Sequence, residues 1–221
     1  MTPMARKRVA VLISGRGSNM ASLIAAAAAS GYPADIALVV SNRGDAAGLA
    51  HAQAAGIETA VVSHRDFGTN REAFEQAIQD TLERHRVELI CLAGFMRVLT
   101  PWFIRRWEGA LLNIHPSLLP SFKGLDTHAR ALQAGVRIHG ASVHFVTAEL
   151  DSGPIIMQAA VPVLDRDTPA TLAARVLAAE HRIYPAALRL VCEQHVRLVD
   201  GRCVVDVAAV EGVMLVAPDA E

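Results

Sequence analysis

An amide and a titratable ring lie two positions apart near the middle of the chain, at Asn113 and His115. They end an apolar run, residues 110–115, that is typical of a buried strand, in which alternate residues share one face. The prolines that follow cannot donate to a strand ladder, so the chain must leave the sheet there. Ligands of open α/β sheets bind at such carboxyl ends. His115 alone would favour a capped strand end whose ring binds a loop carbonyl. Its pairing with Asn113 favours a functional site instead.

A glycine-rich turn, residues 14–19, directly follows the first predicted strand and opens the first predicted helix. Its glycines allow a ligand to approach the backbone, and the free N–H groups of a helix start favour an anion such as phosphate. The dinucleotide fingerprint is incomplete, because its third glycine is missing and no acidic residue follows the second strand. A monophosphate therefore fits better than NAD, and an ordinary capped turn is the alternative.

A second glycine-containing segment, residues 93–99, ends the fourth predicted strand. Gly94 permits close backbone approach, and residues 96–99 offer an apolar wall with backbone amides that suits a flat heteroaromatic ring. From this segment alone, a strand that simply runs into a loop is the stronger interpretation.

Asp151 lies on a turn-like joint, residues 148–153, between two late strands. A carboxylate beside an imidazole would favour its charged form and fix its orientation. The pattern leaves open whether Asp151 reaches His115 or is a solvated turn residue. His144 and Glu180 are weaker candidates, since a core histidine and a solvated helix glutamate explain them as well.

The elements that must position these residues alternate along the chain. Short apolar runs alternate with helical patterns as far as residue 115, which predicts a doubly wound, mostly parallel Rossmann-like α/β sheet. Two later β-rich segments, residues 141–147 and 154–164, are expected to pair antiparallel. Thr168 and Pro169 open a long helix to about Cys192. A hairpin around Asp200-Gly201 follows.

Length and composition limit the classes of protein to consider. The 221 residues carry a net charge of −1 and contain 52% hydrophobic residues, so neither nucleic acid nor a membrane is expected as a partner. Three widely spaced cysteines fit a cytoplasmic protein without a disulfide framework, and no ligand spacing predicts a metal site. We expect a single domain over residues 1–221, with a core of about 8–192 and a hairpin and tail at 193–221. The tail beyond Gly212 is expected to be loosely held.

Five segments together resemble the phosphoribosylglycinamide formyltransferase family. They are residues 14–19 (SGRGSN), 92–97 (LAGFMR), 112–120 (LNIHPSLLP), 139–144 (HGASVH) and 149–153 (ELDSG). The resemblance covers about residues 8–185. It implies the formyltransferase fold and a transferase of purine (IMP) biosynthesis that uses 10-formyltetrahydrofolate. The formyl group would pass to the amine of 5-phosphoribosyl-glycinamide, giving 5-phosphoribosyl-N-formylglycinamide and tetrahydrofolate.

The resemblance also implies roles for individual residues. Asn113, His115 and Asp151 would be catalytic, without a metal. The phosphoribosyl-glycinamide site would comprise Gly17, Ser18, Asn19 and Glu180. The formylfolate site would comprise Arg71, Met96, Arg97, Val98, Leu99, Asn113, Thr147, Ala148, Glu149, Leu150 and Asp151. The partners would be small molecules, and the protein a monomer or a homodimer.

Three rival functions differ in features of the chain. Formyltetrahydrofolate deformylase carries a regulatory domain before its catalytic domain, and here the glycine-rich turn already begins at Ser14. Methionyl-tRNA formyltransferase carries a basic RNA-binding domain after the shared core, whereas this sequence ends in Asp219-Ala220-Glu221. A non-catalytic nucleotide-binding protein would explain the glycine turn but not Asn113, His115 and Asp151 together.

Overall fold

The computed structural model describes residues 6–206 together with Leu215 and Ala217. The strands are β1 (Lys7–Ile13), β2 (Ala34–Ser41), β3 (Thr59–Val61), β4 (Leu89–Leu92), β5 (Leu111–His115), β6 (Ile138–Phe145), β7 (Ile155–Pro162), β8 (Val196–Val199) and β9 (Arg202–Val205). The helices are α1 (Ser18–Ala27), α2 (Ala47–Ala54), α3 (Arg71–Arg84), α4 (Pro101–Arg106), α5 (Thr127–Gln133) and α6 (Pro169–Cys192), with a 3-10 helix at His64–Phe67.

Seven of the strands form one sheet, in the order β3-β2-β1-β4-β5-β6-β7. Neighbours from β3 to β5 are parallel, and β6 pairs antiparallel with β7. The predicted α/β sheet with a late antiparallel pair and a long helix is therefore confirmed. The sheet places the carboxyl ends of β1, β2, β4 and β5 at one edge, where a parallel sheet binds ligands.

The backbone divides into two compact units. The first contains the residues up to Asn113 with Phe145–Ala148, and the second contains Ile114–His144 with the residues from Glu149 onward. In the first unit the strands are continuous apolar runs because helices cover both faces of a parallel sheet. Its core includes Leu12, Leu38, Phe74, Ile78, Leu82, Ile90, Phe103 and Leu111.

The second unit contains most of β6, all of β7, and the helices α5 and α6. Helix α6 begins with a capping box, in which the hydroxyls of Thr168 and Thr171 each accept from the other's backbone N–H. Strand β7 passes Gly140 of β6 so closely that a Cβ there would lie 1.9 Å from the Ala159 carbonyl oxygen. Only glycine fits this position.

The observed elements begin and end within a few residues of the predicted bounds. The hairpin of β8 and β9 turns through Asp200 and Gly201, both at positive φ, as Asp-Gly predicts. The 3-10 helix has no clear apolar period, and the sequence patterns did not predict it. The expected loose tail beyond residue 212 lies outside the described residues, save Leu215 and Ala217, and the single domain stays a prediction. No helix in the described part of the chain is both long and apolar enough to cross a membrane.

Candidate active site

The glycine-rich turn opens α1 without a side-chain cap. Gly17 is the N-cap residue, at φ 74°, and it makes no side-chain cap hydrogen bond to the first helical turn. Gly17 is buried, whereas Ser18 and Asn19 are half-buried at the helix start. Backbone N–H groups of a first turn lack partners within the helix and carry partial positive charge, so this turn can hold an anion.

Gly48 of α2 forms one wall of this turn. A Cβ at position 48 would lie 2.6 Å from Ile13 Cδ1, 3.1 Å from the Gly15 carbonyl oxygen and 3.2 Å from Gly17 Cα. The Gly48 amide also donates to the Gly15 carbonyl at 3.0 Å. Gly48 thus fixes the shape of the turn by close approach, a role that the sequence patterns did not predict.

The segment after β4 presents alternate apolar side chains to solvent. Met96 and Val98 are 64% and 65% exposed, whereas Leu99 is buried. Arg71 donates through Nη2 to the Val98 carbonyl, which attaches the start of α3 to this segment. Exposed apolar side chains on an anchored backbone are typical of one wall of a ligand-binding groove. Thr147 and Ala148, also predicted folate residues of the first unit, are exposed, whereas Arg97 is half-buried.

Asn113 lies on β5, half-buried, in parallel register with Leu92 of β4. It is two residues from His115 on the same strand, so the strand alternation predicted for this pair is present.

His115 is held on two sides within the second unit. Its Nε2 lies 3.0 Å from the carbonyl oxygen of Phe122, and its Nδ1 lies 3.5 Å from Oδ2 of Asp151. The carbonyl only accepts, so Nε2 carries a proton. The ring therefore binds a loop carbonyl, as expected for a histidine that caps a strand end. It also faces a carboxylate, as expected for a histidine that takes part in a reaction.

Asp151 is almost buried, with a side chain that is 9% exposed. Oδ2 accepts a hydrogen bond from the Gly124 amide at 2.8 Å, and Oδ1 lies 4.0 Å from Nε2 of the buried His144. The residue adopts φ 48°, a left-handed conformation that Asp tolerates better than most residues. The solvated-turn alternative for Asp151 is therefore wrong, because the joint folds the carboxylate inward between two imidazoles.

A hydroxyl network supports the loop that leads from His115 to Phe122. Ser142 donates to the Ser117 carbonyl at 2.7 Å and accepts from the Leu119 amide at 3.0 Å. The Gln158 amide donates to both Ser142 Oγ and the Leu119 carbonyl. These buried bonds fix the loop, and they explain why Ser142 of β6 is buried rather than solvated.

Two further histidines pack beside this loop. His128 and His139 meet edge to face, 5.4 Å between centroids, and Phe122 packs edge-on against His139. The pKa of His139 is lowered to about 4, mainly by burial and also by the neighbouring His128 and His115, against the raising effect of the Pro116 carbonyl. Burial also lowers the pKa of His128. Both rings are therefore neutral near pH 7.

The remaining predicted residues of the second unit differ in exposure. Glu180 is buried on α6, so the alternative that it is a solvated helix glutamate is wrong. Leu150 is 56% exposed. Lys123 donates to Ser152 Oγ and lies 3.4 Å from the exposed Glu149, so it braces the residues on both sides of Asp151. No group of three potential ligands able to hold a metal ion occurs among the described residues.

Several contributors to these sites were not predicted. They are the Gly124 amide, the Phe122 carbonyl, Lys123 and Gly48. Backbone groups carry no sequence signal of their own. The Lys123-Gly124 pair after residues 112–120 was the available clue for a tight turn.

Proteins of known name that are similar to this chain come from purine biosynthesis or are formyltransferases. The trifunctional purine biosynthetic protein adenosine-3 of Gallus gallus is 52% identical over 191 residues, which are 86% of this chain and 19% of that protein. The chain thus spans about a fifth of that relative's length. Phosphoribosylglycinamide formyltransferase of Haemophilus influenzae is 44% identical over 200 residues, covering 90% of this chain and 94% of that protein.

Solved structures have the same fold. Glycinamide ribonucleotide transformylase 1 from Symbiobacterium toebii superposes with a TM-score of 0.88 at 42% identity, over 90% of this chain and 94% of that one. A formyltetrahydrofolate deformylase from Pseudomonas syringae superposes with a TM-score of 0.84 at 30% identity, over 90% of this chain and 66% of that one. The model of the formyl transferase family matches residues 7–188. The chain therefore belongs to the formyl transferase family.

Proposed function

We propose that the protein transfers the formyl group of 10-formyltetrahydrofolate to the amine of 5-phosphoribosyl-glycinamide, a step of purine biosynthesis. The products are 5-phosphoribosyl-N-formylglycinamide and tetrahydrofolate. The observation that carries the proposal is the buried pair of His115, at the end of β5, and Asp151, on the joint that precedes β7, which lie 3.5 Å apart. The relatives named for this reaction support the choice of substrates.

The proposed reaction begins with attack of the glycinamide nitrogen on the formyl carbon. A tetrahedral oxyanion forms, and the amide of Asn113 donates a hydrogen bond to it. Such a donor contributes roughly 3–4 kcal/mol to lowering the barrier. The C–N bond to N10 of the folate then breaks, and N10 leaves with a proton.

His115 is suited to deliver that proton. When protonated, the ring donates through Nε2 to the Phe122 carbonyl and presents Nδ1–H to the negative Asp151, so an acceptor faces each nitrogen. The charge stabilises the oxyanion. The Nδ1 proton passes to N10, because the 3.5 Å separation from Asp151 Oδ2 is too long for a strong hydrogen bond that would retain it. Asp151 holds the ring in this state and takes up the proton of the attacking amine, directly or through water.

We propose the two substrate sites on the residues that the family resemblance implies. The first turn of α1, with Gly17, Ser18 and Asn19, would hold the phosphate of the ribonucleotide, and the buried Glu180 would meet its polar part. The exposed Met96 and Val98, on a backbone fastened by Arg71, would hold the folate ring, with Arg97, Leu99 and the loop of residues 147–151. We also propose a cytoplasmic enzyme with small-molecule partners and no nucleic acid, as a monomer or a homodimer.

Hydrolysis of the formyl donor is the second candidate, because the deformylase from Pseudomonas syringae has the same fold over 90% of this chain. In that reaction water replaces the amine, and formate is released. Purified protein with 10-formyltetrahydrofolate, followed by folate absorbance with and without the ribonucleotide, separates the two. Deformylation that requires the ribonucleotide is the expected result. Loss of the formyl group without an acceptor would establish hydrolysis, and binding without turnover would favour a non-catalytic protein.

A further inference from the structure

One buried hydroxyl joins the ends of three neighbouring strands in the first unit. Ser14 follows β1 directly and is only 6% exposed. Its Oγ donates to Oδ1 of Asn42 at 2.6 Å and accepts from the Met96 amide at 2.8 Å. Asn42 follows β2, and Met96 follows β4. Since β2, β1 and β4 are adjacent in the sheet, Ser14 connects three successive carboxyl ends.

Each member of this cluster has further support. The Ser14 amide donates to the Gly94 carbonyl at 3.1 Å, so the main chain and the side chain of Ser14 both attach to the segment after β4. Asn42 is 3% exposed, and its Nδ2 lies 3.2 Å from Nδ1 of His64. A hydroxyl has one proton to donate, and here it goes to Asn42, which leaves the oxygen lone pairs for Met96.

The hydroxyl explains how an apolar side chain stays exposed in a defined place. Met96 is 64% exposed, yet its amide is bonded inward to a buried residue. Gly94, at φ 71°, turns the chain between the strand end and this anchor. Ser14 is also the first residue of the glycine-rich turn, so its Oγ attaches the Met96 backbone to the start of that turn.

We propose that Ser14 is a positioning residue for the formyl donor, acting through the Met96 backbone. The inference rests on the proposed function, in which residues 96–99 form the wall of the folate site. Loss of the hydroxyl would leave the Met96 amide and the side-chain oxygen Oδ1 of Asn42 without their Ser14 partner. The segment of residues 96–99 would then shift. The donor should then bind more weakly while the reacting groups, which lie on other segments, remain in place.

The test is Ser14→Ala, with Thr81→Val as its matched control. Thr81 is buried in the same unit. Its hydroxyl donates to the Ala77 carbonyl and accepts from Arg84 Nη2, both within α3, so this variant also removes a buried hydroxyl with one donor and one acceptor. The dissociation constant for 10-formyltetrahydrofolate, measured by calorimetry without the ribonucleotide, should rise about tenfold in Ser14→Ala and less than twofold in Thr81→Val. The KM for the donor should follow, while kcat falls less than about threefold.

The double variant Ser14→Ala/Asn42→Ala should match Ser14→Ala within twofold in donor affinity, because Asn42 is linked to the Met96 amide through the Ser14 hydroxyl, which the first change already removes. Amide hydrogen exchange of Met96 in the unmodified protein provides a readout that requires no variant to fold. Slow exchange despite the exposed side chain is expected. Rapid exchange, or unchanged donor affinity in folded Ser14→Ala, overturns the inference. Absence of formyl transfer by the unmodified protein would instead overturn the proposed function, and the donor affinities would still decide the role of Ser14.

Discussion

His115 Nδ1 lies 3.5 Å from Asp151 Oδ2, and both side chains are more than nine-tenths buried. The pair is 36 residues apart in the chain, and the Gly124 amide holds the carboxylate from the other side at 2.8 Å. A buried carboxylate oriented by a backbone donor is well placed to stabilise a charged imidazole.

Replacement of Asp151 by Asn should abolish most turnover and leave the fold intact. An amide oxygen can still accept from the Gly124 N–H, and Asn tolerates the φ of 48° at this position. Only the charge beside His115 is lost, so we expect kcat to fall about 10²–10⁴-fold with little change in either KM. His115→Ala should have a similar effect. Steady-state kinetics and circular dichroism would measure both.

Asp165→Asn is the matched control, because Asp165 is 84% exposed and pairs with Arg137 at the surface. This variant should keep the unmodified kcat. Full activity in Asp151→Asn would remove Asp151 from the mechanism.

Gly48→Ala should weaken binding of the ribonucleotide. The new Cβ would press on the Gly15 carbonyl and on Gly17 Cα, at 3.1 and 3.2 Å, so the glycine-rich turn must move by a few tenths of an ångström. We expect about a tenfold rise in the ribonucleotide KM, measured at saturating donor. Gly44→Ala is the control, since its Cβ would meet only Val61 at 3.9 Å. Equal KM values for the two variants would argue against a phosphate site at this turn.

His139 should make the protein less stable in mild acid. Its folded-state pKa is about 4, below the value near 6.5 expected when unfolded, so the unfolded state binds more protons between these limits. Stability therefore falls as the pH drops from about 6.5 to 4, by up to about 3 kcal/mol, and is insensitive to this residue at higher pH. Denaturant unfolding at several pH values would measure the slope.

Two variants separate this effect from other titrating groups. His139→Asn should flatten the slope between pH 6.5 and 4. His85 has the opposite sign, because the hydrogen bond that it donates to the Glu58 carboxylate raises its pKa. Its contribution to stability is present in acid and is lost as the pH rises through that raised pKa. His85→Gln should therefore leave the acid slope in place. A slope unchanged by His139→Asn would show that the ring is not buried in its neutral form.

Thr168→Ala should lower the free energy of unfolding by about 1 kcal/mol, because it removes the N-cap and one half of the capping box of α6. Thr168→Ser keeps the capping oxygen and should retain most of the stability. Neither variant should change kcat or KM. A loss of activity without a loss of stability would mean that the start of α6 takes part in the reaction.

The sequence predicted elements better than contacts. Strands such as β4 and β5 are continuous apolar runs, and Thr168-Pro169 is a local signal for a helix start, so composition over a few residues sufficed. The contact of Asp151 with His115 depends on how the joint before β7 folds against the end of β5, and no local pattern encodes that distance. The resemblance to a family supplied the residue pair, and the geometry came only with the structure.

Close approaches and backbone donors were the features beyond prediction. Gly48 lies in an ordinary alanine-rich helix, and its need for glycine arises from the neighbouring turn. The partners of Ser14 come from two distant segments, and the Gly124 amide is a backbone donor whose role no side chain indicates. Each depends on tertiary distance rather than on residue type.

The crowding at Gly140 has a consequence for mutational scanning. A side chain at position 140 would enter the Ala159 carbonyl of the neighbouring strand, so every substitution there should score as damaging. The position will resemble an active-site residue in a map of tolerated changes, although what it reports is the spacing of two strands. Damaging scores should therefore be compared with protein abundance before a role in the reaction is assigned, and libraries for altered substrate preference can keep this codon constant.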